Sequence, residues 1–250
     1  MNYTSCCKIA GKVIKISSLY KEVHSLCGEY ATTEAPDFSV GVSHDDIAFE
    51  REKSAREDML EGHEIRHFSD AYLETLAVYR KIAAKLLDDD ILLFHGSAIA
   101  ADGVGYLFTA KSGTGKSTHT RLWRDMLGER AVMVNDDKPL LRISDGEVTV
   151  YGTPWDGKHR LSTNIAVPLK AICILERGVQ NCITPITKRE ALPMLLQQSY
   201  RPNEALAMMK TMELIDRLGG TVALYRLQCN MEPQAAEISY TAMSERKDKE

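Results

Sequence analysis

The residues best suited to chemistry lie in a glycine-rich segment, Ala110-Lys111-Ser112-Gly113-Thr114-Gly115-Lys116-Ser117. It matches the phosphate-binding pattern G-x-x-x-x-G-K-[ST], except that Ala110 replaces the first glycine. Glycines let the backbone curl so that successive N–H groups face an anion. In such loops the lysine reaches the β and γ phosphates of a nucleotide, and the following hydroxyl ligates Mg²⁺. The pattern therefore predicts a nucleotide-binding loop formed by Ser112, Gly113, Thr114, Gly115, Lys116, Ser117 and Thr118.

An acidic pair follows the next predicted strand. Residues 131–134 are apolar and lead into Asn135-Asp136-Asp137-Lys138, so the pair is expected where a strand ends near the loop. Phosphoryl transfer uses one carboxylate in the Mg²⁺ shell and another to accept the proton of the attacking hydroxyl. A solvent-exposed Asn-Asp-Asp turn is the alternative interpretation. The position of the pair after the loop favours a site.

His95 precedes Gly96-Ser97, on the strand expected to pair with the strand that feeds the loop. A histidine there could hold a phosphate oxygen or act on the acid pair, because its charge changes near neutral pH. A buried histidine with purely structural hydrogen bonds fits the sequence equally well. Both interpretations stay open at this point.

Elements that would position these residues are visible as hydrophobic periodicity. Two apolar runs, 91–99 and 104–109, are joined by an Asp-Gly turn, and a helix over 117–127 stops at Gly128. Further strands are predicted at 131–134, 140–143, 148–151, 171–176 and 221–227, and further helices at 187–199, 204–218 and 233–244. Thr187 with Glu190 forms a capping box, and Gly219-Gly220 is expected to end the helix before them.

The first part of the chain has a different pattern of apolar and polar residues. Alternating stretches between residues 7 and 51 predict short strands, and helical spacing over 69–88 predicts a helix. We therefore expect two domains: a β-rich N-terminal lobe over residues 1–68 and a catalytic domain over residues 69–250. No linker, charge block or repeat marks the boundary.

Composition excludes several classes of function. The 250 residues carry a formal net charge of -4, which argues against nucleic acid as a partner. Six cysteines without a C-x-x-C pair indicate reduced thiols. No apolar run has the length of a membrane span, and the first residues lack a signal-peptide pattern. We expect a cytoplasmic protein with no membrane partner.

The motifs His95-Gly96-Ser97, Ser112-Gly113-Thr114-Gly115-Lys116-Ser117 and Asn135-Asp136-Asp137, in this order and spacing, resemble the catalytic domain of HPr kinase/phosphorylase. The resemblance runs from about residue 92 to 176. It implies an α/β fold shared with phosphoenolpyruvate carboxykinase: a P-loop-containing twisted mixed β-sheet flanked by helices. The activity it implies is that of an ATP- and Mg²⁺-dependent serine kinase. His95 and Lys116 would be active-site residues, Ser117 and Asp136 would serve the metal, and Asp137 would be the catalytic base.

One segment departs from that family. The family follows its acid pair with a glycine-rich segment containing a glutamate, whereas residues 151–160 here read Tyr-Gly-Thr-Pro-Trp-Asp-Gly-Lys-His-Arg. Asp156 could replace the missing metal ligand, and Lys158 or Arg160 could neutralise charge in the transition state. A turn whose indole packs on the core fits equally well. Because the docking elements for HPr are missing too, we expect an acceptor serine on another protein or peptide.

His63-Glu64-Ile65-Arg66-His67 spells H-E-x-x-H, which on a helix would hold zinc for a metalloprotease. Gly62 precedes it, and the next predicted helix begins only at Ser69 or Asp70. A surface segment is therefore the favoured interpretation. Three further functions stay open: a small-molecule kinase, a carboxykinase-type enzyme, and a regulatory module that binds nucleotide without chemistry. The related kinases form oligomers, and the sequence does not decide the oligomeric state.

Overall fold

The computed structural model describes residues 3–60 and 62–245. The chain divides into two compact units, Met1–Lys85 and Leu86–Glu250. The helix predicted over 69–88 is present as Asp70–Leu86 and ends at this division. A domain boundary between residues 68 and 69 rests on the sequence pattern alone and stays a prediction.

The first unit consists of a small sheet and helices. Its elements are β1 (Tyr3–Ile9), β2 (Lys12–Ser18), α1 (Glu22–Leu26), β3 (Phe38–Gly41), α2 (His44–Leu60) and α3 (Asp70–Leu86). Strands β1 and β2 pair antiparallel, and β3 pairs parallel to β2. The three strands of this unit all lie within residues 3–41. The predicted β-rich lobe over residues 1–68 stays a prediction.

The helix α2 differs from the strand-like pattern expected up to residue 51. Its buried residues include Glu50 and Asp58, so it has no apolar stripe of the kind that identifies an amphipathic helix. Arg80 donates to Glu50 and Arg66 donates to Asp58, which compensates the buried charges. Local residues nevertheless cap the start of the helix: Ser43 and Asp46 exchange hydrogen bonds across the first turn.

The second unit is a mixed α/β structure. Its elements are β4 (Ile91–Leu93), β5 (Ser97–Ala101), β6 (Val104–Thr109), α4 (Lys116–Leu127), β7 (Ala131–Asn135), β8 (Leu140–Ser144), β9 (Glu147–Tyr151), β10 (Ala166–Arg177), β11 (Cys182–Pro185), α5 (Lys188–Gln198), α6 (Ala205–Thr221), β12 (Ala223–Cys229) and α7 (Gln234–Ser244). The capping box at Thr187 and Glu190 is present, as predicted.

One mixed sheet organises this unit. Its strand order is β4-β8-β9-β10-β6-β5-β7, and β12 pairs with β10 and with β11. The long strand β10 pairs antiparallel with β9 at its start and parallel with β6 and β12 further along. Within the described residues the predicted fold class, a mixed sheet flanked by helices, is confirmed at this coarse level.

The sheet is buried on both faces. Along β6, Leu107 belongs to the core cluster that contains residues of α5 and α6, whereas Tyr106 and Phe108 belong to the cluster that contains residues of α4 and α7. Side chains of a strand alternate between faces, so a continuous apolar run is what a two-sided core requires. This packing fixes β6, and with it the start of the glycine-rich loop.

Two predicted elements differ from the structure. The run over 91–99 is split into β4 and β5, because the chain changes partners at His95 and Gly96: β4 pairs with β8, and β5 pairs with β6 and β7. The helix α6 continues through Gly219 and Gly220 instead of stopping before them. A Cβ on Gly219 would lie 2.9 Å from Lys188 Cγ, so this glycine serves close helix packing.

None of the helices within the described ranges combines the length and the hydropathy needed to cross a bilayer.

Candidate nucleotide and phosphoryl-transfer site

The glycine-rich segment lies between a strand and a helix, as the sequence predicts. Residues 110–115 connect β6 to α4, and Gly113 and Gly115 have φ angles of 71° and 120°. Because L side chains rarely adopt these angles, both positions favour glycine. An added Cβ at Gly113 would meet nothing within 4 Å, so the loop is open on that side. The two glycines therefore allow the backbone to curl, as an anion-binding loop requires.

Lys116 is the first residue of α4 and is half-buried. Among the described residues it has no salt-bridge partner, and its hydrogen bond is a long one of 3.4 Å to the carbonyl oxygen of Ala110. Burial lowers the pKa of Lys116, and the negative charges of Asp137 and Asp136 oppose that shift. Both carboxylates are thus within electrostatic range of the ammonium group. A partly desolvated cation without a direct partner is suited to binding an anion.

Asp136 follows β7 and is buried, with 6% of its surface exposed. Its Oδ1 accepts a hydrogen bond of 2.6 Å from the hydroxyl of Ser97, which also contacts Thr120 Oγ1 at 3.0 Å. A Cβ on Gly157 would lie 2.9 Å from Asp136 Oδ2. The glycine therefore keeps space open beside the second carboxylate oxygen.

Asp137 is held by two neighbours. His95 Nε2 lies 3.3 Å from Oδ1, and Lys138 Nζ lies 3.0 Å from Oδ2. Burial alone would raise the pKa of this carboxyl, but the hydrogen bond to His95 and the charge of Lys138 hold the pKa well below its usual range. His95 lies in the connection between β4 and β5, not on the strand paired with β6 as predicted. It nevertheless contacts the acid pair.

Asn135 is the residue that orients the acid pair, a role that its position in the motif does not by itself reveal. Its side-chain amide donates to the carbonyl oxygens of Thr153 and Trp155 and to Thr153 Oγ1. Its Oδ1 accepts the backbone N–H groups of Asp137 and Lys138, at 2.9 and 2.6 Å. The fully buried amide thus joins the end of β7 to the segment after β9. An asparagine directly before two aspartates is a signal for such a turn.

The segment after β9 packs tightly beside β7. A Cβ on Gly152 would lie 1.9 Å from the carbonyl oxygen of Thr163 and 2.7 Å from that of Val134. Trp155 is buried in this segment, as expected for a turn whose indole packs on the core. Asp156 is half-buried and accepts a hydrogen bond of 3.2 Å from the backbone N–H of Ser162. Lys158 and Arg160 are exposed.

A cavity of about 110 Å³ lies beside the loop. Ser117 and Thr118, at the start of α4, line it together with Asp136 and His159. Among the described residues the hydroxyl of Ser117 has no hydrogen-bond partner, so it is available to a ligand. A hydroxyl and a carboxylate are oxygen ligands of the kind Mg²⁺ prefers. Ser117 and Asp136 therefore fit the predicted metal site, whereas Asp156 is not part of this lining.

The structure brings His95, Lys116, Ser117, Asp136 and Asp137 to one end of the sheet. Ser112, Gly113, Thr114, Gly115 and Thr118 surround the start of α4, and the roles of all these residues stay predictions. Arg177, which no sequence motif singles out, donates a hydrogen bond of 2.6 Å to the carbonyl oxygen of Gly113. A lone arginine at the end of a strand gives no signal for this contact.

The H-E-x-x-H segment is not helical: residues 63–69 connect α2 to α3 without regular structure. The helical spacing that would place two imidazoles side by side is therefore missing. Within the described parts of the chain, no group of three or more His, Cys, Asp and Glu side chains is arranged to hold a metal ion.

Similarity to known proteins is found at the level of structure. No family model and no curated protein matches the chain. Among solved structures, the HPr(Ser) kinase/phosphatase from Coxiella burnetii is similar to this chain, with a TM-score of 0.33 and 10% sequence identity. The alignment covers 61% of this chain and 99% of that one.

Proposed function

We propose that this chain is an ATP- and Mg²⁺-dependent kinase that transfers a phosphoryl group to a hydroxyl, a serine of a protein or peptide other than HPr. The observation that carries the proposal is the convergence at one site of an open glycine loop, a cation without a direct partner and an acid pair. Lys116 begins the helix after the loop, and Asp136 and Asp137 act on its charge. These parts are what phosphoryl transfer requires of a protein.

The loop N–H groups and Lys116 bind the phosphates and stabilise charge on the group being transferred. Ser117 and Asp136 hold Mg²⁺, which when bound neutralises phosphate charge. The fit rests on two observations: the hydroxyl and the carboxylate line one cavity, and Gly157 leaves room at Asp136. Ser97 fixes the orientation of that carboxylate through its hydrogen bond to Oδ1.

Asp137 orients the acceptor hydroxyl and receives its proton. Its low pKa keeps the carboxylate ionised at neutral pH, and His95 and Lys138 fix its position. A carboxylate with a low pKa is a weak base. In the loose transition state of phosphoryl transfer the hydroxyl needs positioning more than strong deprotonation, so a weak base suffices.

The test is transfer of radiolabel from [γ-³²P]ATP, with Mg²⁺, to serine peptides by the purified chain. Lys116→Ala should weaken nucleotide binding, measured by calorimetry, by at least about tenfold, because a charge-assisted contact is lost. Label transfer should disappear with it. Asp137→Asn should keep nucleotide binding and lose about 10²-fold or more in transfer, the range for a general base.

Lys15→Ala is the matched control, because Lys15 is an exposed lysine on β2 in the other unit. This variant should bind and transfer like the wild type. Full ATP consumption by Lys116→Ala would contradict the proposal. Nucleotide binding without label on any hydroxyl acceptor would favour the regulatory module instead.

A further inference from the structure

Two arginines on one face of α4 line the cavity beside the loop. Ser117, Arg121 and Arg124 all line it, and they are spaced four and seven residues apart. Residues at this spacing share a helix face, and seven residues advance the helix by about 10 Å. The cavity therefore extends from the predicted metal ligand Ser117 along α4, away from the glycine loop.

The charges on this cavity are mainly positive. Arg121 and Arg124 supply the positive charges, the carboxylate on the lining is Asp136, and His159 also lines the cavity. Asp136 is engaged by the Ser97 hydroxyl and is the predicted metal ligand. Arg121 forms a loose ion pair of 3.6 Å with Asp125, in which both side chains are more than half exposed. An exposed pair of this kind holds its arginine weakly.

Arg124 has an unmet hydrogen-bonding group. Its Nε is buried, and no hydrogen-bond partner for it is present among the described residues. A buried guanidinium nitrogen without an acceptor is costly, and a carboxylate or phosphate that re-oriented the side chain would relieve this cost. The guanidinium also presents its donors in a fork that matches these anions.

We infer that this cavity binds an anionic group of the phosphoryl acceptor, a carboxylate or a phosphate, through Arg121, Arg124 and His159. The inference rests on the proposed function, because it names the class of acceptor. The acceptor hydroxyl would lie toward Asp137 and Ser117, and a second, acidic group of the same molecule would lie along α4. The kinase would thereby select acidic acceptors over neutral ones.

The size of the cavity supports a small group. Its volume of about 110 Å³ is well below the roughly 300 to 1,000 Å³ of pockets that enclose drug-sized ligands. One carboxylate or phosphate group fits this volume, whereas a nucleoside does not.

The decisive experiment uses inorganic phosphate as the probe on the full chain. The glycine loop is first saturated with AMP-PNP and Mg²⁺, and phosphate is then titrated by calorimetry. Wild type should bind phosphate beside the nucleotide. Arg124→Gln should weaken phosphate binding by about tenfold or more, the usual cost of a charge-assisted contact, and leave AMP-PNP binding unchanged. Arg121→Gln should act in the same direction.

Arg189→Gln is the matched control: Arg189 is an exposed arginine on α5 that is absent from the cavity lining, and the change in net charge is the same. Absence of phosphate binding to the nucleotide-loaded wild type would overturn the inference, as would equal binding by Arg124→Gln. Phosphate binding that occurs only without AMP-PNP would place the anion in the loop and also overturn it. Failure of AMP-PNP to bind would refute the proposed function, whereas phosphate binding that depends on Arg124 would then still show an anion site.

Two sets of acceptors show whether the anionic group belongs to a peptide or to a small molecule. Serine peptides with Glu or Gln beside the serine are compared in the transfer assay, and small hydroxy acids are compared with their amides. Preference for the acidic member of either set, lost in Arg124→Gln, identifies the source. Preference for the neutral members would contradict the inference.

Discussion

Asp137 is surrounded by groups that favour its charged form. His95 and Lys138 each contact one carboxylate oxygen, and together they outweigh the burial that would raise the pKa of Asp137. A carboxyl whose folded pKa is depressed contributes stability above its ordinary pKa of 3.8, and this contribution is lost as the pH falls below that value. Throughout the neutral range the side chain is therefore a fixed anion, ready to orient a hydroxyl.

In contrast to Asp137, His119 is held in its uncharged form at neutral pH. It lies on α4, its ring packs edge-on against Phe108, and its Nε2 is 3.0 Å from the hydroxyl of Ser239 on α7. The same hydroxyl accepts a hydrogen bond from Trp123 Nε1. Burial lowers the pKa of His119 to about 4. The side chain thus ties the helix after the glycine loop to α7.

Acid should destabilise the fold through His119. Between pH 6.5, its ordinary pKa, and about pH 4 the unfolded chain binds a proton that the folded chain does not, so stability falls as the pH falls. From pH 7 to pH 5 the loss from this group is about 2 kcal/mol. Urea unfolding at both pH values should show this loss in wild type and a clearly smaller one in His119→Gln.

His67→Gln is the control for that measurement, because His67 is an exposed histidine outside helices and strands. Its pH dependence should equal that of wild type. An unchanged pH dependence in His119→Gln would show that the buried ring does not exclude the proton.

At the scale of elements, the segment from β9 to β10 is fixed by close backbone approach. Gly152 lies where two carbonyl oxygens, of Thr163 and Val134, leave no room for a side chain. Asn135 then links the same segment to the end of β7 through three donated hydrogen bonds. The acid pair is therefore positioned by main-chain packing and one buried amide, more than by contacts of its own.

Two glycine substitutions should have opposite effects on stability. Gly152→Ala should lower the free energy of unfolding by about 3 kcal/mol, the upper part of the range for overpacking, because backbone must move. Gly220→Ala should raise it by up to about 1 kcal/mol, since Gly220 is helical and an added Cβ meets nothing within 4 Å. Denaturant unfolding of both variants checks the pair, and equal effects would refute the packing argument.

Local patterns predict the elements whose signals are local. The glycine loop, the capping box at Thr187 and the helix that stops at Gly128 depend on neighbours in sequence, and the structure has all three elements. No local hydrophobic pattern predicts the helix α2, because its buried face carries charges. These charges are neutralised by Arg66 and Arg80, which come later in the chain. The packing role of Gly219 in α6 is likewise not visible in local patterns, because the side chain that a Cβ there would meet belongs to Lys188, a distant residue.

At the scale of the whole molecule, the candidate site lies within one compact unit. The loop, the acid pair and His95 all belong to Leu86–Glu250. Three strands of one sheet converge there: β6 ends at the loop, β7 ends at the acid pair, and β5 begins beside His95. Local patterns do not show this arrangement, because β5 pairs with β7, which lies beyond β6 and α4 in the sequence. The sequence predicted the convergence from two signals: the acid pair follows a strand near the loop, and the motifs resemble those of a known family.

Nucleotide binding should therefore appear as a change in the stability of the protein. A ligand present at about 100 times its Kd adds roughly 2.7 kcal/mol to the free energy of unfolding, which for a protein of this size corresponds to a rise in Tm of about 5 to 10 °C. ATP with Mg²⁺ should give this rise in wild type and in Lys15→Ala. In Lys116→Ala the rise should fall to about half or less, because the loop has lost its cation and binds nucleotide at least about tenfold more weakly. Scanning calorimetry with and without nucleotide measures it, and an unchanged Tm in wild type under saturating ATP and Mg²⁺ would mean that the curled loop beside Asp136 and Asp137 does not bind a nucleotide.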